Sequence, residues 1–538
     1  MARGLTQLNV STAERIAAIL AAGAVVAMNV GTLSFGWQAI DDFDLVLHQA
    51  SVTSPGQAGL LDLVFTPGMG HWMPLTNASL AFDFARCGAD AGCFRQTTLA
   101  LIALTAAALT FALARLGTLF ARGDRAFISP WAACAAVVFA YAHPVTAEPI
   151  AWIASRKDVL SVAFVAIGLA ACAHQAEALK HARPRALMLC AAPFVAAMLS
   201  KATTLFVPLF FIGLLTAWGL RWRTIALSAA PIAAVGAGSA LLAARSQATM
   251  TEWSAYGGLG GRLDAAGAAL FGHGLRLTGS RADVPISFVD LYPAPTGSWA
   301  LAGALSALFF LAGGVFALHA LHRSRSTGRD TVPMHTISLA LALTTLLPMS
   351  GWLGRVTILI ADRYLYLPWI VAGSATIALL LTRSAELLRP LTGRSTPAIA
   401  SVALVALAMT QLPARGSALA SWRDAEAFSA RLMAAYPATD PIALNEGLYY
   451  VGCMFDGLGV GIFALNRAPA EAFPMTSEER RGRISEARDR WATCLEAEPS
   501  RPSDMARKGR AKLRSLVSRA ERELAAQPTP PPSESEVQ

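Results

Sequence analysis

Charge is scarce in this chain. Of its 538 residues only 15% are Asp, Glu, Lys or Arg, against about a quarter in an ordinary soluble domain. So little charge argues against a soluble enzyme. Cysteine is sparse too, with 7 residues and no zinc-like spacing. No basic stripe is interleaved with aromatics, so a nucleic-acid partner is not indicated. The N-terminus has Arg3 and Arg15 but no small-residue cleavage site before its apolar run over 16–35. That run is therefore read as a first membrane helix rather than a removed signal.

What fills the chain is apolar sequence: 54% of residues are hydrophobic and the mean hydropathy is +0.47. Many runs reach the ~17–25 residues of a helix that crosses a bilayer. Such runs do not fit a membrane β-barrel or a disordered scaffold. The expected fold class is all-α and polytopic, with about eleven spans by a ~19-residue hydropathy window. They fall near 16–35, 94–115, 126–142, 159–178, 186–199, 204–220, 224–244, 299–320, 335–349, 364–382 and 396–413. The apolar stretch over 186–220 is too long for one crossing, and its interruption at Ser200 and Lys201 splits it in two.

Lys and Arg number 44 against 35 Asp and Glu, a net charge of +9. In a membrane protein that excess marks cytoplasmic loops. Arg115, Arg122, Arg125, Lys180, Arg183, Arg185, Arg221, Arg223, Arg323, Arg325, Arg329, Arg383, Arg389 and Arg394 fall on one side. The N-terminus is then cytoplasmic, while the long loops 36–93 and 245–298 and the tail lie outside. Cys87 and Cys93 share the first outside loop, and Cys453 and Cys494 share the tail. Two pairs in an oxidising compartment point to two disulfides. Cys134, Cys172 and Cys190 lie within apolar runs as small buried residues.

The chain divides into a membrane domain over 1–413, a helical outside tail over 414–527 and a disordered end over 528–538, rich in Pro, Ser and Glu. Amphipathic helices are predicted over 424–436, 441–465, 477–496 and 504–526, and over 259–277 in the second outside loop. The tail has too few helix pairs for an independent repeat array, so it is expected to pack on the membrane domain.

Ionisable groups beside membrane helices are costly, so those that occur are informative. Four clusters stand at the expected outside ends of spans. Asp41 and Asp42, followed by Asp44 and His48, offer a general base, or ligands for a metal or a polar substrate, or simply a solvated loop start or helix cap. His143 through Asp158 contains Glu148, Trp152, Arg156, Lys157 and Asp158. Its cations could hold a phosphate, or the charges could form only an interfacial salt bridge. Lys201 marks the turn between two short helices, where it binds an anion or snorkels. Asp362, Arg363, Tyr364 and Tyr366 precede Pro368; the Arg meets an anionic headgroup or pairs with Asp362, and the tyrosines are ligands or an aromatic belt.

In these stretches the chain resembles the C-type glycosyltransferases, GT-C enzymes that use polyprenyl-phosphate sugars. It is most similar to the transmembrane-and-tetratricopeptide O-mannosyltransferases and their bacterial relatives. The matching features are Asp41-Asp42; Trp72-Met73-Pro74-Leu75-Thr76, with His71 before it; His143-Pro144 through Glu148, Trp152, Arg156 and Asp158; Ser200-Lys201; Asp290-Leu291-Tyr292-Pro293; and Asp362-Arg363-Tyr364-Leu365-Tyr366-Leu367-Pro368. The resemblance covers about residues 10–385. It departs at Met73, where the family often has Arg, and in the tail, where the repeats are reduced to a tetratricopeptide-like remnant.

The resemblance implies an inverting hexosyltransferase at the outer face of the membrane; the Ala- and Arg-rich composition reads as bacterial, which makes that membrane an inner membrane. Asp41, or Asp42, would deprotonate an acceptor hydroxyl as it attacks the anomeric carbon. Arg363, Lys201, Arg156 and Tyr366 would meet the lipid phosphate of the donor. Glu148, Asp158, His143, Trp152, Lys157, Asp362, Tyr364 and His71 would bind sugar or acceptor. No cofactor is required; a divalent metal is allowed but not indicated. Mannose is implied by analogy with the eukaryotic members; the acceptor class, whether protein, lipid or glycan, is left open. The rivals are a flippase or transporter of a lipid-linked sugar and a non-catalytic membrane scaffold.

Overall fold

The computed structural model describes residues 11–38, 41–54, 59, 62, 64–67, 72–120, 128–181, 183–201, 204, 207–217, 222–246, 259–278, 300–326, 361–392, 396–440, 443, 448–465, 475–502 and 504–526. Among the described residues the chain is all helical, with no strand. The principal helices are α1 (Thr12–Asn29), α2 (Pro74–Cys87), α3 (Ala91–Phe120), α4 (Pro130–Ala142), α5 (Arg156–His174), α6 (Pro184–Ser200), α7 (Val207–Ala217), α8 (Trp222–Ser246), α9 (Leu259–Leu277), α10 (Ala300–Ser326), α11 (Asp362–Leu367), α12 (Ser374–Thr392) and α13 (Thr396–Ala420). The tail adds α14 (Ala425–Ala435), α15 (Leu448–Leu465), α16 (Ser477–Glu496) and α17 (Asp504–Ala526).

Among the described residues, five helical stretches are long and apolar enough to cross a membrane: Thr12–Ser34, Ala91–Gly117, Ile153–His174, Asp362–Ala385 and Ile399–Ala420. They match the expected spans at 16–35, 94–115, 159–178, 364–382 and 396–413. Those at 126–142, 186–199 and 299–320 fall on the shorter apolar helices Pro130–Ala142, Pro184–Ser200 and Leu301–Phe316. Those at 204–220 and 224–244 fall on α7 and α8. The span at 335–349, the Asp290–Pro293 motif, His71, Arg122, Arg125, Arg329 and the 528–538 end lie outside the described residues.

Local chemistry sets the helix ends. Ser11 caps α1 with a reciprocal capping box: Glu14 N–H donates to Ser11 Oγ (3.2 Å) and Ser11 N–H to Glu14 Oε2 (2.7 Å). Ser129 caps α4, with Pro130 at the first helical position, where its missing N–H costs nothing. Pro368 removes a helix donor, and the chain passes between α11 and α12 through a π turn over Pro368–Gly373. A second π turn, Phe43–Leu47, follows Asp41 and Asp42.

A membrane core of small and branched residues joins α1, α3, α4, α5, α6 and the start of α12. Close approach is built in at Gly168 of α5, where a Cβ would sit 2.8 Å from the Phe194 ring of α6. Ile19, Leu227, Leu301, Leu311, Val402 and Met409 point outward and are exposed. Apolar faces of that extent require a lipid surround.

The tail has a core of its own around Tyr450, Ile484, Trp491 and Leu513. Cys453 on α15 is joined to Cys494 on α16, and Cys87 to Cys93 at the α2–α3 corner. The free Cys134, Cys172 and Cys190 lie in apolar helices. The tail docks on the membrane domain through a second apolar cluster, in which Trp422, Phe428 and Phe455 pack with Trp37, Phe43 and Trp152.

Candidate functional site

The connection between α4 and α5 folds as three short helical turns, and its side chains reach elements far away in sequence. Glu148 is fully buried and ion-paired with Arg363 of α11. Its other oxygen accepts the Asp362 backbone N–H at 3.0 Å, so one carboxylate holds both the charge and the helix start. The Arg363 guanidinium lies 5.1 Å from the Trp152 ring centroid and 4.9 Å from that of Tyr364. Asp158, in the first turn of α5, pairs with Lys201 at the C-terminal end of α6. The Lys201 ammonium also sits 5.7 Å from the Tyr364 ring. Asp158 Oδ2 is buried and has no hydrogen-bond partner among the described residues.

Between the two ion pairs stands Lys157, half-buried and within electrostatic reach of Asp41, Asp158, Arg363 and Lys201. Among the described residues its ammonium has no hydrogen bond or ion pair. The neighbouring Arg156 is committed elsewhere. It is 1% exposed, pairs with Asp83 of α2 at 2.8 Å, and donates to Ser79 Oγ at 2.8 Å and the Phe94 carbonyl at 2.5 Å. One helical step of 100° separates these two cations, and burial sorts them.

The acidic pair is sorted in the same way. Asp42 is fully buried; its Oδ2 accepts from Gln38 N–H at 2.9 Å and its Oδ1 from Ala154 N–H at 2.7 Å. Burial pushes its pKa up from 3.8 to about 7, against those two hydrogen bonds and the nearby Arg95. Asp42 thus ties the first outside loop to the α4–α5 connection. Asp41 is half-exposed, with no side-chain hydrogen bond among the described residues. Its φ of 57° lies in the left-handed region, which costs a non-glycine residue about 1–3 kcal/mol. Asp44 and His48 pair at 3.7 Å on the exposed side of the π turn.

The remaining candidates flank this cluster. Asp362 pairs with Arg276 of α9 at 3.5 Å. His143 accepts Val145 N–H at Nδ1 (3.2 Å), which leaves Nε2 as the donor to the Leu277 carbonyl at 2.9 Å; burial lowers its pKa. The C-terminal end of α9 is therefore held against the site at two points. Tyr366 points into the helix bundle, its hydroxyl 3.4 Å from that of Tyr141 and within electrostatic reach of Asp158. Trp72 is buried, its indole N–H donating to the Val64 carbonyl at 2.9 Å.

Three buried side chains that sequence reading passed over hold the frame. Arg95 donates to the carbonyls of Phe35 (3.0 Å), Gly36 (2.6 Å) and Ala151. Gln38 Nε2 donates to the Trp422 carbonyl at 2.6 Å. Arg415 of α13 donates to Asn29 Oδ1, the Met28 carbonyl (3.1 Å) and Thr146 Oγ1 (3.4 Å). Two of them carried a signal, since an Arg within an apolar run is costly unless its donors are satisfied.

The cluster thus gathers ends of α1, α4, α5, α6 and α11 on one side of the bundle. Glu14 and Arg115 pair at 3.6 Å at the opposite ends of α1 and α3. Chemically the site offers one accessible carboxylate, one ammonium without a partner among the described residues, and two neutralised cation–carboxylate pairs. No group of three or more His, Cys, Asp or Glu side chains among the described residues is placed to hold a metal ion. No family model, curated protein or solved structure matches the chain.

Proposed function

We propose that the chain is a GT-C-type glycosyltransferase. It moves a hexose from a polyprenyl-phosphate donor to an acceptor hydroxyl at the outer face of a bacterial inner membrane. The observation that carries this reading is the proximity of Asp41 to Lys157 beside two buried cation–carboxylate pairs. An accessible carboxylate in a strained backbone position and an ammonium without an ion pair among the described residues lie within electrostatic reach, beside two pairs that hold further cations.

The chemistry follows from those positions. Asp41 takes the proton of the acceptor hydroxyl as its oxygen attacks the anomeric carbon. The new C–O bond forms as the bond from that carbon to the phosphate oxygen breaks, so configuration inverts. The electron pair leaves with the polyprenyl phosphate. Its charge is met by Lys157, with Arg363 and Lys201 behind it. Asp158 Oδ2, buried and without a partner among the described residues, would accept a sugar hydroxyl in this scheme. Arg156 and Asp42 serve the frame in this scheme, and Asp41 alone is the base.

An apolar groove of about 670 Å³ between α6 and α8 is consistent with a prenyl tail. Its lining begins at Val195, ~9 Å along α6 from Lys201 at 1.5 Å per residue. The rival of lipid-linked sugar transport fits less well. Transporters bind near the midplane, whereas Glu148, Asp158, Lys201 and Arg363 stand at helix ends.

The proposed topology has eleven spans, a cytoplasmic N-terminus and a periplasmic tail. The disulfides on the site side and in the tail support an oxidising compartment there. Arg183 and Arg185, at the far end of α6, support a cytoplasmic opposite face.

The test is transfer of label from polyprenyl-phosphate-linked sugars in membranes with and without the chain. Protein, lipid and glycan fractions are counted separately. Label that depends on the chain supports the transferase and names the acceptor class. Absence of label across several donor sugars contradicts it.

A further inference from the structure

Trp422, at the start of the tail helices, touches both halves of the site. Its indole stacks on Trp152, with centroids 5.3 Å apart and planes at 26°. Trp152 in turn lies 5.1 Å from the Arg363 guanidinium. On its backbone side, the Trp422 carbonyl accepts from Gln38 Nε2 at 2.6 Å, and the next carbonyl, of Arg423, accepts Gly36 N–H at 2.8 Å. Gln38 N–H bonds Asp42, whose other oxygen takes Ala154 N–H, two residues beyond Trp152. The contacts therefore close a ring: Trp422, Gln38, Asp42, Ala154, Trp152 and Trp422 again. Asp41 projects from that ring beside Asp42.

The ring is rigidly backed. Trp422 is 1% exposed and packs on Phe428 at 5.0 Å, which meets Phe455 at 5.7 Å. Asp424 caps α14 by accepting Ala427 N–H at 2.7 Å, so the tail core fixes the chain just after Trp422. A peripheral acceptor-binding appendage would need none of these contacts with the loop before Asp41.

We propose that Trp422 is a positioning residue of the transfer site. Through Gln38 it holds the Asp41 segment, and through Trp152 the Arg363 guanidinium, at a fixed separation. The tail is then part of the active-site frame. This inference rests on the proposed transferase reading for its kinetic consequence, while its structural half can be read without any activity.

The experiment uses the full chain in detergent or nanodiscs, as wild type, Trp422→Phe, Trp422→Ala and Gln38→Ala. Hydrogen exchange is followed in segments 35–48 and 151–158, with 477–496 as the tail control, and transfer is measured per folded molecule. Trp422→Ala is expected to speed exchange in both segments, with the control unchanged. It should lower the turnover number at saturating donor by tenfold or more. Trp422→Phe, which keeps an aromatic face against Trp152, should retain at least half of wild-type turnover.

Wild-type exchange in either segment of Trp422→Ala overturns the proposal, as does an activity loss matched by the loss of folded protein. Should Trp422→Ala fail to fold, Gln38→Ala decides. Faster exchange over 41–48 with an intact tail supports the ring, and unchanged exchange removes it. Should the wild type itself transfer no sugar, the transferase reading falls, while the exchange result still decides the coupling.

Discussion

Arg363 closes on Glu148 across 215 residues of chain, and the same carboxylate caps the Asp362 N–H that begins α11. Removing one member leaves a buried charge with no counter-ion, which costs about 3–5 kcal/mol. Glu148→Gln and Arg363→Met are therefore each expected to lower stability in detergent substantially. The double variant Glu148→Gln with Arg363→Met should lie well above the sum of the single losses. A thermal-unfolding double-mutant cycle checks this, and additive losses would mean that the pair is not coupled.

Lys157 and Arg156 are expected to respond in opposite ways. Lys157→Gln should fold normally and raise the donor KM about tenfold, which is ~1.4 kcal/mol of binding. Arg156→Ala should leave the buried Asp83 carboxylate with only Thr97 and the more distant Arg86, at 3.6 Å, and destabilise the fold by about 3 kcal/mol. Donor titration beside a melting curve separates the two. A Lys157→Gln enzyme with wild-type donor dependence would remove Lys157 from the phosphate site.

Asp42 carries a pH signature with a defined sign. Folding raises its pKa from 3.8 to about 7. Between those values the native state holds a proton that the unfolded chain has released. Its contribution is therefore fully present below pH ~4, falls as pH rises, and is flat above about 7. In Asp42→Asn one oxygen becomes an amide nitrogen that cannot accept its backbone N–H, a loss of about 1–3 kcal/mol. The stability gap between wild type and Asp42→Asn should be wide at pH 5 and narrower at pH 7.5. Melting curves at both values test it, and a gap that widens with pH would mean a carboxylate held ionised.

Orientation is open to direct labelling. Glu498 in the tail and Arg183 before α6 are both exposed, and the account places them on opposite faces. With an impermeant thiol reagent on intact spheroplasts, Glu498→Cys should react and Arg183→Cys should not until the membrane is opened. The reverse pattern would invert the topology.

Much of the architecture was legible because apolar length and amphipathic period act locally. The amphipathic stretch over 259–277, the two helices from 477 and 504, and both cysteine pairs appear in the structure where the sequence puts them. The second tail helix is described as Leu448–Leu465, later than the start expected at 441, with most of 441–447 outside the described residues. The site was legible in its ingredients and opaque in its pairings. Glu148 could have met any of several cations, and only tertiary packing selects Arg363. Arg156 and Lys157 are neighbours in sequence, and their division into a buried strut and a half-buried cation depends on which face of α5 meets α2. Tyr366 was grouped with Arg363 by adjacency, yet its hydroxyl turns toward Tyr141. Gln38 and Trp422 gave no motif at all; their role rests on a contact between chain segments 384 residues apart.

The account stands most directly on Asp41. Transfer from a labelled polyprenyl-phosphate sugar is measured in vesicles carrying equal amounts of folded wild type or Asp41→Asn. Loss of the base is expected to leave the fold intact and reduce the rate by about 10²–10⁴-fold, the usual contribution of a general base. An Asp41→Asn enzyme that keeps more than about a tenth of the wild-type rate, ~1.4 kcal/mol of barrier, would contradict Asp41 as the base and with it the mechanism.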